Sequence, residues 1–171
     1  DTAGGLAGDS PLGRFVTRVM RQATGTHVAL TTASSLRDPL PRGTIVEEQL
    51  RAALPYPNDV VVYRVSGAVL YDLLAGSLSL AGSDLTSLVS GARLAVEGGR
   101  LAGVSVLGRP DDPSVAEAPL VPGATYGVAL TDYQARHVEP YRSILDGLVR
   151  QETGLTVRDL VRTALAEAGP P

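Results

Sequence analysis

Apolar positions change period several times along the chain, and each change marks an element. Ser10-Pro11 opens a helix, because serine suits an N-cap and proline suits the first helical position. Leu12, Phe15, Val16, Val19 and Met20 then recur at helical spacing, Arg14, Arg18 and Arg21 take the other face, and Gly25 ends the run. Residues 27–32, His-Val-Ala-Leu-Thr-Thr, predict a short apolar strand that passes into a polar loop over 33–43. Residues 44–54 predict a short strand or turn and then a small helix from Glu47 to Leu54, broken by Pro55 and Pro57. Asp59–Ser66 is rich in β-branched residues and predicts a strand. Gly67–Leu78 predicts a helix with Val69, Leu70, Leu73 and Leu74 on one side.

The second half is more broken. Residues 79–91 are rich in Ser and Gly with little pattern, and Ala92–Glu97 with Leu101–Leu107 predicts a hairpin closed by Gly98-Gly99. A Pro/Asp-rich loop covers 108–123, Thr125–Thr131 predicts a strand and Pro140–Leu148 a helix. The last helix starts with a capping box, Thr156-x-x-Asp159, ahead of Leu160, Val161, Ala164 and Leu165. Residues 1–9 are a Gly/Ala/Asp lead-in expected to be flexible, and 10–171 are expected to form one domain, with no internal repeat or linker. The fold class expected is α/β (α+β), a mixed β-sheet with packed helices.

Composition narrows the function classes. The chain has 171 residues, 44% of them hydrophobic and 19% charged, enough for a real core and too apolar for disorder. A net charge of −3 supplies no basic excess for a phosphate backbone, so nucleic acid is not an expected partner. All 15 basic residues are Arg, which in a chain dominated by Ala, Gly, Leu and Val reads as the imprint of a GC-rich genome. Without Cys there are no disulfides or thiolate metal sites, and two distant histidines, His27 and His137, cannot build a His cluster. No apolar run approaches the ~18 residues of a membrane span. The opening Asp-Thr-Ala-Gly-Gly is not a signal peptide and lacks an initiator Met, which fits a piece of something longer or a processed form.

Several segments in order carry a resemblance to a known family. They are Ser10-Pro-Leu-Gly-Arg-Phe-Val with Met20; Val28-Ala-Leu-Thr-Thr-Ala-Ser-Ser-Leu-Arg37; Gly43-Thr-Ile followed by Leu54-Pro-Tyr-Pro-Asn58; Val60-Val-Val-Tyr-Arg-Val-Ser-Gly67; Ser90-Gly91-Ala-Arg-Leu; and Val128-Ala-Leu-Thr-Asp-Tyr133. Each is weak alone, but their order and spacing resemble the C-terminal, substrate-binding domain of 5'-nucleotidase-type metallophosphoesterases, over residues from about 9 to about 168. The resemblance implies two aromatic rings, Tyr56 and Tyr133, that sandwich a nucleobase, and an arginine, Arg37, that contacts phosphate. It implies further that Thr32 stands where the family places a base-contacting Asn, and Glu139 where it places an Asp that holds the ribose hydroxyls.

Departures from the pattern matter as much. The family's glycine run before the arginine is Ala33-Ser34-Ser35 here, which would strain the loop if it needed positive φ. The glycine-rich loop after Tyr133 is replaced by His137-Val-Glu-Pro-Tyr141, and an arginine ahead of the first helix has no counterpart in Gly4-Gly-Leu-Ala-Gly8. Catalysis in the family uses a pair of divalent metal ions held by an N-terminal metallophosphoesterase domain. The Asp-x-His and Gly-Asn-His-Glu signatures of that domain are absent here, so the chain carries no expected catalytic residue, metal ligand or cofactor, and by itself is expected to be inactive. The pairs Asp111-Asp112 and Glu47-Glu48 read as solvated faces.

Three functions follow from the resemblance. The first is a nucleotide- or nucleoside-binding domain that works joined to a metal domain, outside the cytoplasm. The second is a non-catalytic interaction module of the same fold. The third is a domain of a related sulfate thiohydrolase, in which an anion-binding Arg37 remains but the base pocket is closed.

Overall fold

In the computed structural model, residues 10–37, 39–112 and 116–168 are described, so the lead-in over 1–9 and the middle of the Pro/Asp loop lie outside the description. Helix α1 (Pro11–Thr24) starts and stops as the sequence dictates. The Ser10 hydroxyl accepts the Gly13 N–H, and Gly25, in the left-handed region at φ 60°, returns its N–H to Arg21 and Gln22 carbonyls. Strand β1 (Val28–Thr32) follows, then a 3₁₀ turn over Ala33–Ser35, helix α2 (Glu47–Ala53), strand β2 (Asp59–Ser66) and helix α3 (Gly67–Ser79). Strands β3 (Ser87–Ser90), β4 (Ala92–Glu97), β5 (Arg100–Val106), β6 (Ala118–Pro119) and β7 (Thr125–Thr131) come next. Short helices α4 (Asp132–His137) and α5 (Tyr141–Leu145), strand β8 (Arg150–Thr156) and helix α6 (Val157–Ala168) close the chain.

Five strands form the main sheet in the order β3-β1-β7-β2-β8, with β1 and β7 parallel and the other neighbours antiparallel; β4, β5 and β6 make a small second sheet. Alternation along each central strand divides the core in two. Val28 and Leu30, Val61, Tyr63 and Val65, and Val128 and Leu130 face α3, α5 and the small sheet. Ala29, Val60 and Ala129 face the other way, onto α1, α2 and α6. The two alanines leave room for Val16, Val19 and Met20 of α1 to seat closely on the central strands, and all five are buried. The domain is thus a mixed sheet sandwiched between helical layers, the α/β class expected from the sequence.

The differences from the sequence-based expectation have local causes. Thr131 accepts the Gln134 N–H through its hydroxyl, so the chain turns from β7 directly into α4, a helix the sequence did not announce. The helix expected over 140–148 is only α5, ended before Gly147 at φ 73°. Strand β8 was not expected because Arg-Gln-Glu-Thr-Gly-Leu-Thr has no apolar alternation; it is an exposed edge strand, held by its ladder to β2 and by the Thr153 hydroxyl on the Val60 carbonyl. The expected capping box forms: the Asp159 N–H reaches the Thr156 hydroxyl, and the Asp159 carboxylate takes the Thr156 N–H and hydroxyl.

At the end of the sheet where β1 begins, His27 Nδ1 accepts the Gly127 N–H at 3.0 Å, which fixes the neutral tautomer with the proton on Nε2. Burial, foremost, and the nearby Arg109, Arg21 and Arg64 guanidinium groups push the His27 pKa down, with Asp111 opposing weakly. The unfolded chain therefore binds a proton near the ordinary histidine pKa of ~6.5 before the folded chain does. This contribution to stability is complete above ~6.5 and is lost as pH falls through the lower folded value. His27→Asn, whose Oδ1 stands in for Nδ1 without titrating, is expected to lose less stability than the natural chain between pH 7.5 and 5, measured by urea denaturation. Equal losses would show that His27 is not the group concerned.

Candidate functional site

The site grows from one end of the main sheet. In the register of the strands, the end of β1 at Thr32, the start of β3 at Ser87, the end of β7 at Thr131 and the start of β2 at Asp59 lie at the same edge. The segments at that end carry Arg37 after β1, Tyr56 ahead of β2 and Tyr133 on α4.

Arg37 sits at the far side of the 3₁₀ turn. Ala33 N–H donates to Thr86 O at 2.8 Å, Ser34 N–H to Asp84 O at 2.9 Å, and Arg37 N–H to Ala53 O at 3.0 Å, so the loop is tied to β3 on one side and to α2 on the other. No non-glycine residue has positive φ among the described residues, so Ala33-Ser34-Ser35 replaces the family's glycines without backbone strain. The Arg37 guanidinium donates to the Tyr56 hydroxyl at 2.8 Å and lies 5.7 Å from the centre of its ring. That hydrogen bond pushes its pKa up, with Asp84 adding a weaker attraction. Among the described residues Arg37 forms no ion pair with a carboxylate.

Tyr56 lies in the extended stretch after α2, and that stretch is clamped from α6. Arg158 donates to the Leu54 carbonyl at 2.9 and 2.6 Å and to the Pro55 carbonyl at 2.7 Å, which satisfies acceptors left over at the helix end. Arg158 was not among the residues the sequence singled out, and no local signal reveals a partner more than a hundred positions away. Three residues after Tyr56, the Asp59 N–H donates to the Asp132 carboxylate at 3.0 Å, which binds the Tyr56 segment to the first turn of α4, next to Tyr133.

Tyr56 and Tyr133 are 43% and 40% exposed, unlike the buried tyrosines Tyr63 and Tyr141. An exposed ring in a chain with few aromatics has a face to offer a ligand. The Tyr133 ring lies beside that of His137 at i+4, with centroids 5.6 Å apart and planes tilted by 35°. His137 is a second residue the sequence reading did not assign to the site, although the i, i+4 spacing would have found it once α4 was known.

Thr32 and Glu139 are placed differently. Thr32 is fully buried, with its hydroxyl bonded to Ser35 at 2.8 Å and to Ser34 at 3.2 Å, so it serves the turn rather than the surface. Glu139 is exposed, accepts the Ser143 hydroxyl at 2.7 Å and the Ser143 N–H at 3.3 Å, and pairs with Arg142. The Ser143 hydroxyl, ahead of Arg142, holds its carboxyl below the usual carboxylate range. It therefore caps α5, and would have to release those donors to meet a ribose.

Beside Arg37 opens a groove of about 620 Å³ between the start of α1, the 36–45 segment and α6, lined by Leu12, Phe15, Leu36, Leu40 and Leu165 among others. Among the described residues Arg37 is its one charged lining residue, and neither Tyr56 nor Tyr133 lines it, so the groove adjoins the aromatic pair at Arg37. Among the described residues there is no group of three or more His, Cys, Asp or Glu placed to hold a metal ion, and no helix is long and apolar enough to cross a membrane.

The fold matches the 5'-nucleotidase precursor of Thermus thermophilus with a TM-score of 0.76 at 23% identity, over 95% of this chain and 34% of that one. It matches the NAD nucleotidase of Haemophilus influenzae with a TM-score of 0.76 at 18% identity, over 96% of this chain and 33% of that one. A sulfate thiohydrolase of Thermus thermophilus matches with a TM-score of 0.53 at 21% identity, over 90% of this chain and 29% of that one. The chain thus spans about a third of the length of each. No curated protein matches it in sequence. The family model described as "5'-nucleotidase, C-terminal domain" matches residues 3–144, and the chain belongs to that family.

Proposed function

We propose that this domain binds the nucleotide or nucleoside substrate of a phosphoesterase, with Tyr56 and Tyr133 as walls for the base and Arg37 as the contact for phosphate. The observation that carries this reading is that the segments bearing the three residues meet at one end of the sheet, with Arg37 bonded to Tyr56 and the Tyr56 segment bonded to the Tyr133 helix. Aromatic faces accept any base, and a guanidinium fork suits phosphate oxygens. The ribose contact assigned to Glu139 and the base contact assigned to Thr32 have less support, because both groups are committed to local structure. Hydrolysis belongs to a metal-bearing N-terminal domain with a pair of divalent ions, and the assembled protein works outside the cytoplasm.

Adenosine and AMP titrated into the 171-residue chain, followed by amide chemical shifts, test the reading. Stacking contributes about 1–3 kcal/mol per base, so Tyr133→Ala is expected to weaken both ligands about 5- to 150-fold. Arg37→Ala is expected to remove the advantage of AMP over adenosine and leave adenosine nearly unchanged. No saturable binding by the natural chain, or binding indifferent to both substitutions, would refute the proposal and leave an interaction module of the same fold.

A further inference from the structure

Behind the exposed ring of Tyr133 runs a chain of buried polar groups from four different elements. Gln134 Nε2 lies 3.2 Å from Ser87 Oγ, Ser87 Oγ 2.6 Å from the Tyr141 hydroxyl, the Tyr141 hydroxyl 2.7 Å from Ser77 Oγ, and Ser77 Oγ 3.1 Å from the Leu73 carbonyl. All four side chains are fully buried. Burial pushes the Tyr141 phenol up, so it keeps its proton.

The order of protons follows from the last link. A carbonyl only accepts, so Ser77 spends its one hydrogen on Leu73 and must accept from Tyr141. Tyr141 then has no hydrogen left for Ser87 and accepts from it, and Ser87 in turn must accept from Gln134. The amide of Gln134 is thereby fixed with its nitrogen toward Ser87, and its Oε1 has no partner among the described residues, as does the neighbouring strand's Thr31 hydroxyl. Donation runs one way, from α4 through β3 and α5 to α3, and each hydroxyl donates once and accepts once. Chains of this kind reinforce one another in a low-dielectric interior.

We infer that this network is a positioning device for the aromatic wall: Gln134, Ser87, Tyr141 and Ser77 set the place of α4 and with it the ring of Tyr133. Helix α4 has only six residues and cannot fix itself. One of its ends is held by the Thr131 cap and the Asp132 contact, and its inner face by Gln134. The role of Tyr133 in binding rests on the function proposed above, whereas the control of its position does not.

Tyr141→Phe removes the central hydroxyl and keeps the packed ring. With ring-labelled tyrosine, and the Tyr133 signal assigned by Tyr133→Phe, the Tyr133 resonance is expected to shift or broaden in Tyr141→Phe, and the adenosine Kd to rise at least threefold. Val19→Ala, on α1 in the opposite core, is the control for general loss of stability and is expected to move neither reading. If the natural chain binds no adenosine, the proposed function fails while the Tyr133 resonance still decides the network. Should Tyr141→Phe not fold, Ser77→Ala cuts the last link with a smaller change and is expected to move the same resonance. A Tyr133 resonance that moves no more in these variants than in Val19→Ala would overturn the inference.

Discussion

Gly91→Ala is expected to lower the thermal midpoint by about 8 °C or more. Gly91 joins β3 to β4 with φ 92°, a conformation that costs an L-residue about 1–2 kcal/mol. The space is closed as well: a Cβ there would lie 2.0 Å from the His27 carbonyl oxygen and 2.6 Å from Arg21 Nε. Neither neighbour can withdraw at little cost, because Arg21 Nε donates to that same carbonyl at 2.8 Å and its other arm reaches the Gly108 carbonyl. Relief requires the start of β1 to part from the turn, so the total reaches roughly 4 kcal/mol or more. At about 2–4 °C per kcal/mol for a domain of this size, the midpoint falls accordingly. Gly82→Ala is the control, since Gly82 has a similar φ of 83° and no described residue comes within 4 Å of where its Cβ would stand. It should cost only the conformational part, a few degrees. Equal midpoints for the two variants, by thermal denaturation followed by circular dichroism, would show that the contact with His27 does not matter.

The sequence made the central strands legible because they obey simple rules. Asp59–Ser66 is rich in β-branched residues, Thr125–Thr131 is a short mostly apolar run, and both are strands over those residues. Helices α1 and α6 announce themselves by Ser10-Pro11, Gly25 and the Thr156/Asp159 box, all of which form. Where the element is defined by its partners, the sequence is silent. Strand β8 is polar because it is an edge, and α4 exists because the Thr131 hydroxyl captures one N–H. Neither property shows as a hydrophobic period.

The candidate site divides along the same line. Arg37, Tyr56 and Tyr133 were found through the resemblance, and the structure brings Arg37 and Tyr56 into contact and ties the Tyr56 segment to the helix of Tyr133. What holds them is Arg158, Asp132 and Gln134, whose roles depend on contacts between distant parts of the chain. Thr32 and Glu139 illustrate the converse: occupying a family position does not make a polar group available when a nearby serine or arginine has taken it. The Ala33-Ser34-Ser35 run shows that a loop expected to need glycine can reach its end by another backbone path, here a 3₁₀ turn.

The second large effect concerns the buried amide. Gln134→Glu is expected to fold nearly normally in acid and to lose stability steeply as pH rises. A protonated glutamic acid can place its hydroxyl where Nε2 now donates to Ser87, and its carbonyl oxygen where Oε1 has no partner. The ionised form cannot make the first of these contacts, since a carboxylate has no hydrogen to give and Ser87 has already given its own to Tyr141. No hydrogen-bonding partner of the Gln134 side chain carries a charge to compensate. Full burial raises a carboxyl pKa by about 3–5 units, each worth 1.36 kcal/mol. With the folded pKa above the unfolded value of about 4.3, the folded variant binds more protons than the unfolded chain between the two. Its stability is intact below ~4.3 and falls through that interval, reaching a deficit on the order of 4–7 kcal/mol above the folded pKa. Urea denaturation of variant and natural chain at each pH, taken as a difference, removes the His27 contribution common to both. A deficit that does not grow with pH would mean that Gln134 is open to water or that its amide faces the other way, and the proton order derived from Leu73 would fall with it.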